Sequence, residues 1–386
     1  MAKRARNTPT KAQQRAHALA RTRLSALRAA CRRLGVSHAL ISNPVDVGYL
    51  TGFLGGDSFL IVGPGKPTIV SDGRYREELE PFAPIAKVVM RDGSMTEAVA
   101  RVLADLHEAG RLDGLALQGD HFSLTDDAAL RAACKAKRVP VRSFVPTTGL
   151  VLNLRRVKDE TEIRLIRDAV RLQEGALLAA LEYLHPGMTE LEFCAELEYQ
   201  MKTRGADGPA FGTIIASGAN GSHPHYRPAP VKIRGNETLL IDWGARRAGY
   251  NGDMTRTFAL GRWPRPMREV YGIVLEAHEA AAAAIKPGVT GAELDSIARK
   301  VITDAGYGEQ FAHGLGHGLG MDVHESPRLG KFSQREALEA GHVVTIEPGI
   351  YLPGVGGVRI EDDYAVTARG RKNLSSLPRD IEWATI

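Results

Sequence analysis

Apolar positions along the chain change period several times. Leu24, Leu27, Cys31 and Leu34 recur at the three- and four-residue spacing of one helix face. "HALISN" then reads as a short strand, and "SFLIVGPGKPTIVSD" as two strands about a Gly/Pro turn. "TEAVARVLADLHEAG" returns to the helical period and is closed by Gly110. "LDGLALQGD" and "VPVRSFVP" predict further strands. This mixed α/β pattern predicts one domain over residues 21–148, and it gathers no cluster of metal-type or nucleophilic side chains.

From residue 149 the pattern differs. "VLNLRRVKDETEIRLIRDAVRLQEGALLAALEYLHPG" is a polar entry followed by a long amphipathic helix. "PGMTELE" at Pro186 is then echoed by "PGVTGAE" at Pro287. Thr189 with Glu192, and Thr290 with Glu293, each fit a capping box, and Gly205 and Gly306 follow at the same offset. The echo predicts an internal duplication over residues 149–386, two helix–turn–helix–sheet halves with a site where they meet.

Composition narrows the class. At 386 residues the chain exceeds what one hydrophobic core usually serves, in keeping with two domains. No apolar run reaches the roughly 18 residues that span a bilayer, which argues against a membrane partner. "MAKRARNTPTKAQQRAHALARTR" is basic, has no acid and has no apolar stretch for a secretory signal. Residues 1–20 are therefore expected to be a basic, disordered tail. No aromatics interleave with those charges, which argues against a nucleic-acid partner. The 3 cysteines, Cys31, Cys134 and Cys194, lie far apart with no C-x-x-C. That excludes a disulfide framework and a zinc–thiolate site, and a reducing, cytoplasmic setting is expected.

Two hairpins carry the candidate chemistry. In "TLLIDWGARRAGYNGDMTRTFAL", a turn centred between Arg247 and Ala248 sets Asp242 opposite Asp253. In "VVTIEPGIYLPGVGGVRIEDDYAV", a turn centred at Gly354 sets Glu347 opposite Glu361. Opposed like charges destabilise a sheet, and buried unpaired carboxylates cost several kcal/mol. Either one member of each pair is protonated, or cations lie between them. "HGLGHGLGMDVHE", His313 to Glu325, crowds imidazoles among glycines, and one imidazole would complete a carboxylate-rich set. Without thiolates, Mn, Co, Fe and Zn are the candidate ions. A second histidine-bearing loop, "ASGANGSHPHYRP", holds His223 and His225. His185, His278 and His342 stand singly beside ordinary elements and read as structural, and Trp243 reads as core.

These segments resemble the pita-bread metallopeptidases: aminopeptidase P, prolidases and methionine aminopeptidases. The matching motifs are "RRVKDETEIRLIRDA", "IDWGARRAGYNGDMTRTF", "HGLGHGLGMDVHESP", "TIEPGIY" and "GVRIEDD", in the family's order. "NPVDVGYLTGF" and "DGRY" resemble landmarks of a creatinase/prolidase-type N-terminal domain, which favours the proline-specific branch. The resemblance implies an α/β (α+β) chain with a duplicated pita-bread catalytic domain and two divalent ions, manganese first, with cobalt, zinc or iron as alternatives. The implied ligands are Asp242, Asp253, His317, Glu347 and Glu361, with Asp253 and Glu361 bridging. His225, His313 and His324 are implied to stand at the substrate, and Glu347 to accept the proton of the attacking water. Arg359, two residues before Glu361 on the same strand face, is expected to hold that carboxylate by a charge-assisted bond. The implied activity is release of an N-terminal residue that precedes proline, with an Xaa-Pro dipeptidase as the alternative. A creatinase-like amidinohydrolase and a non-catalytic binding protein on the same fold are the remoter readings. The substrate partner would be a peptide with proline second, and the assembly a homodimer.

Overall fold

Leu24, Leu27 and Cys31 are buried along one face of a helix, Lys11–Arg33. The structure, a computed structural model, describes residues 11–386. Half of the segment 1–20, expected to be a tail, is therefore helix. Ala20 extends the buried stripe by a turn, and the alanines, glutamines and arginines around it are strong helix formers. Residues 1–10 lie outside the described part.

The chain divides into two compact units, the second starting at Arg156. In the first, six strands form one sheet in the order Lys87–Met90, Thr68–Ser71, Ser58–Val62, His38–Ile41, Leu115–Gln118, Phe144–Thr147. Its centre is antiparallel, and parallel pairs lie on either side. The helices Met95–Glu108 and Leu124–Ala136 supply Leu103 and Leu130 to a core with Leu40, Ile61, Val70 and Leu117. The capping box of Ser94 and Glu97 starts the first of these helices.

In the second unit the duplication is visible in the backbone. Thr189 caps the helix Glu190–Thr203 and Thr290 caps the helix Gly291–Asp304, both with complete capping boxes and φ of −88° and −87°. Thr189 bridges Lys232, and Thr290 bridges Ala337, both antiparallel. Each capped helix packs on a longer one, Glu160–Leu181 or Arg265–Ala283. The strands Ile214–Ser217, Thr238–Trp243 and Met254–Ala259 form one sheet. Gly316–Gly318, Glu325–Leu329, Val343–Ile346, Asp362–Thr367 and Gly370–Asn373 form another. No helix among the described residues is long and apolar enough to cross a membrane.

Candidate metal centre

The first hairpin pairs in a register two residues away from the one expected. Asp242 faces Thr255, Arg246 faces Asn251, and the turn centres between Ala248 and Gly249. Ala248 and Gly249 both adopt positive φ, 50° and 79°. This Ala-Gly turn sits one residue later than the Arg-Ala turn assumed from the sequence. Because side chains alternate with period two, Asp242 and Asp253 stay on one face as a diagonal pair. The second hairpin keeps the expected register. Ile346 faces Asp362 in one ladder and Gly349 faces Arg359 in the next, so Glu347 and Glu361 lie level between the two ladders.

His317 is delivered by the short strand Gly316–Gly318, which is flanked by Glu325–Leu329 and Val343–Ile346. A Cβ on Gly316 would collide with the Thr345 carbonyl, and one on Gly318 with the Ser326 carbonyl. Only glycine permits neighbouring backbone this close. The Nδ1 of His317 lies 3.1 Å from the Gly318 carbonyl oxygen. A carbonyl only accepts, so Nδ1 carries the proton and Nε2 offers a lone pair. That Nε2 faces Asp253 Oδ2 at 3.6 Å and Glu347 Oε1 at 3.4 Å. One ligand atom from each of Asp253, His317 and Glu361 lies within 4.8 Å of the other two, and all three residues are buried.

Lone pairs and buried carboxylates facing one another repel unless protons or cations intervene. Burial, then Glu361 and Asp242, push Asp253 well above the usual carboxylate range. Burial, then Glu361, does the same to Glu347. Burial and Asp242 push Glu361 up to about 8. Asp242 is raised by burial against the pull of Arg359, and its buried Oδ1 has no hydrogen-bond partner among the described residues. An orphaned carboxylate oxygen beside an oxygen- and imidazole-rich cluster fits hard or borderline divalent ions.

The surrounding hydrogen bonds hold these groups at fixed angles. Arg359 donates from Nη2 to Asp242 Oδ2 at 2.6 Å and from Nε to Thr255 Oγ1 at 3.0 Å. Thr255 Oγ1 in turn donates to Glu361 Oε2 at 2.7 Å. The expected Arg359–Glu361 bond is thus corrected: the guanidinium binds Asp242 and reaches Glu361 only through Thr255. Arg359 Nη1 also donates to Tyr351 Oη at 2.7 Å. Tyr351 Oη lies 2.8 Å from His313 Nε2, and His313 Nδ1 lies 2.8 Å from the Gly314 carbonyl oxygen. Both ring nitrogens of His313 are therefore engaged inside the protein, and this imidazole steadies Arg359 through Tyr351. Asp363 Oδ2 accepts from the backbone N–H of Asp253 at 3.0 Å.

His324 is exposed and packs edge-on against His317, ring centroids 4.4 Å apart. His225 is exposed in its loop, close enough to Asp242, His313 and His324 to act on the charge of each. Thr255, Thr345, Tyr351 and Asp363 were not singled out from the sequence. Strand periodicity offered a signal for two of them, because Thr255 lies two residues after Asp253 and Thr345 two before Glu347. The structural reading of His278 and Trp243 is borne out: both are fully buried, and Trp243 Nε1 donates to the Gln173 carbonyl at 3.0 Å.

The profile of metallopeptidase family M24 matches residues 164–368, and that of the creatinase/prolidase N-terminal domain matches residues 23–157. The chain belongs to metallopeptidase family M24 and is an enzyme, with the N-terminal creatinase-like and C-terminal pita-bread domains expected from its motifs. It is 36% identical over 349 residues to the Xaa-Pro dipeptidase of Pyrococcus furiosus, spanning 90% of this chain and 95% of that one. The solved Xaa-Pro dipeptidase of Bacillus anthracis matches with a TM-score of 0.88 at 34% identity, covering 95% of this chain and 100% of that one. The X-Pro aminopeptidase of Thermotoga maritima matches with a TM-score of 0.83 at 34% identity, covering 92% and 99%. Membership of this family implies divalent metal ions, and the buried cluster suits them.

Proposed function

We propose that the protein hydrolyses the bond between an N-terminal residue and a following proline, and that Xaa-Pro dipeptides are its preferred substrates. The observation that carries the metal-dependent part is the meeting of His317 Nε2 with the buried carboxylates of Asp253 and Glu361 and the half-buried one of Glu347. The proline preference is supported by the dipeptidases and the aminopeptidase that the chain is similar to. Proline's amide has no N–H and a fixed φ, so peptidases that rely on that N–H do not cleave it.

Asp242, Asp253, His317, Glu347 and Glu361 would hold two ions, manganese being the first to test. Divalent ions held there would lower the pKa of a water and polarise the scissile carbonyl. Glu347 would take the proton of the attacking water, with Thr345 Oγ1 3.4 Å from its Oε1 to orient it. His324, exposed beside the cluster, would donate to the oxygen that gains charge. His225 would face the substrate from its loop. Arg359 would keep Asp242 ionised and aimed.

The preference for a dipeptide rests on Arg328. It is the direct cross-strand partner of His317, so both project from one face of the sheet, and Arg328 is exposed. A dipeptide ends in a carboxylate one residue beyond the cleaved bond, and longer peptides carry a neutral amide there. The test compares an Xaa-Pro dipeptide, its C-terminal amide and an Xaa-Pro tripeptide, with manganese added, on wild type and Arg328→Gln. Loss of ~10-fold or more in kcat/KM on the dipeptide alone is expected, the order of one charge-assisted bond. Equal cleavage of all three substrates, unchanged in the variant, would establish the aminopeptidase reading instead.

A further inference from the structure

We infer that Glu190 is a positioning residue: its carboxylate holds both ends of the loop that presents His225 to the acid cluster. Glu190 is fully buried in the first turn of the helix Glu190–Thr203. Its Oε1 accepts from Ser217 N–H at 2.8 Å, Ser217 Oγ at 2.8 Å and Asn220 Nδ2 at 2.9 Å. Its Oε2 accepts from Tyr226 Oη at 2.9 Å and Ala229 N–H at 3.2 Å. The donors thus come from both ends of the stretch 217–229, and one of them, Tyr226, is the neighbour of His225. The helix does not need this carboxylate, because Thr189 and Glu192 already complete its capping box.

The carboxylate serves the ends of the loop, whose middle bonds to itself: His223 N–H donates to the Asn220 carbonyl and Tyr226 N–H to the His223 carbonyl. After the strand Ile214–Ser217 the chain makes only a short 3-10 turn, Gly218–Ser222, and joins no ladder before Lys232. Ser217 ends that edge strand, paired with Leu239 on one side only, and its N–H, like that of Ala229, takes the Glu190 carboxylate as acceptor. On its other side the loop rests on the Arg359 strand: a Cβ on Gly357 would collide with the Gly221 carbonyl, and Arg359 Nη1 lies 3.5 Å from the Pro224 carbonyl. The carboxylate and that strand grip the loop from two sides and leave His225 exposed between them.

The second half of the duplication supplies the control. Gly291 occupies the place of Glu190, directly after the capping threonine. There the helix start lies straight against the strand Glu325–Leu329, so closely that a Cβ on Gly291 would collide with the Arg328 carbonyl. That segment has its own ladder with Gly316–Gly318. The same helix start carries a carboxylate where the facing segment lacks a ladder, and glycine where it has one. A purely space-filling role for Glu190 would not account for five donors converging from one loop.

The inference rests on the peptidase reading of the metal centre and on His225 facing the substrate. It is tested on full-length protein with manganese and an Xaa-Pro dipeptide, in wild type, Glu190→Gln, Tyr226→Phe, His225→Ala and the double variant Glu190→Gln/His225→Ala. Glutamine keeps the size of the side chain and offers the Ala229 or Ser217 N–H no second acceptor oxygen. His225→Ala should lower kcat/KM ~10²-fold, within the usual range for a positioned acid–base group. Glu190→Gln should lower kcat ~10-fold with KM and metal content little changed, and Tyr226→Phe should fall between it and wild type. The double variant should stay within about 3-fold of His225→Ala, since the two act through one group. Amide hydrogen exchange in 217–229 should quicken in Glu190→Gln. Full kcat in Glu190→Gln, multiplying losses in the double variant, or unchanged exchange in 217–229 would each overturn the inference. If Glu190→Gln does not fold, Tyr226→Phe decides by the same readouts. If wild type with metal leaves every Xaa-Pro peptide intact, the peptidase reading fails by itself, and the exchange comparison still decides whether Glu190 orders the loop.

Discussion

His317 and His324 come from one glycine-rich stretch, yet one is buried among carboxylates and the other is exposed at their edge. His317→Ala should therefore lose metal and regain part of its activity in excess manganese. His324→Ala should keep its metal and lose roughly 10²–10⁴ in kcat. Metal content and kinetics on both variants check this, and a metal-free His324→Ala beside a fully loaded His317→Ala would reverse the assignment. The acids give a pH signature as well. Glu361 is raised from 4.5 to about 8 in the fold by burial and Asp242, and Asp253 and Glu347 are raised by burial and Glu361. A raised carboxyl contributes stability that is complete below its unfolded value and is lost as pH rises through the folded one. His278, lowered to about 3, and His313 and His317, lowered to about 4, act oppositely, but only below about pH 6.5. Between pH 6.5 and 8.5 the metal-free protein should thus lose melting temperature, and manganese should cancel that loss. Melting curves in chelator and in metal at the two pH values test it, and a flat metal-free profile would refute it.

At the scale of elements, the centre depends on strands packed too closely for any side chain but hydrogen. Gly316 and Gly318 bracket His317, with the Thr345 and Ser326 carbonyls where a Cβ would go. Gly316→Ala must push Gly316–Gly318 away from Val343–Ile346, carrying His317 off the acids. We expect a loss of ~2 kcal/mol or more, as for overpacked interiors, together with weaker metal binding. Urea unfolding and a metal titration measure the two effects, and wild-type values in both would show that the strands yield freely. The hairpins illustrate what pairing pattern conveys. The first turn lies one residue later than the alternation suggested, and the acids still share a face because the error is even.

Over the whole molecule, each unit has its own apolar core, and the metal-type cluster belongs to the second. Calorimetry should accordingly show manganese raising the transition of the unit from Arg156 onward while that of the first unit stays in place, since a ligand stabilises what it binds. A shift of both transitions by the same amount would mean that the two units melt as one.

The sequence by itself determined the periodic features: the two domains, the duplicated capped helices, and acids sharing strand faces. Period and capping are local, so spacing along the chain carries them. It also determined that facing carboxylates in two separate hairpins must either be partly protonated or share cations. What the tertiary structure decided is which atoms meet. Arg359 was expected on Glu361, two residues away, and instead binds Asp242, 117 residues away. Tyr351, which joins His313 to Arg359, carried no spacing signal at all. The expected tail is helix from Lys11: its residues are strong helix formers, and they extend by two turns and more a helix whose buried stripe begins at Ala20. For Arg359 and Tyr351 the deciding term is contact between segments remote in sequence, which no local period encodes.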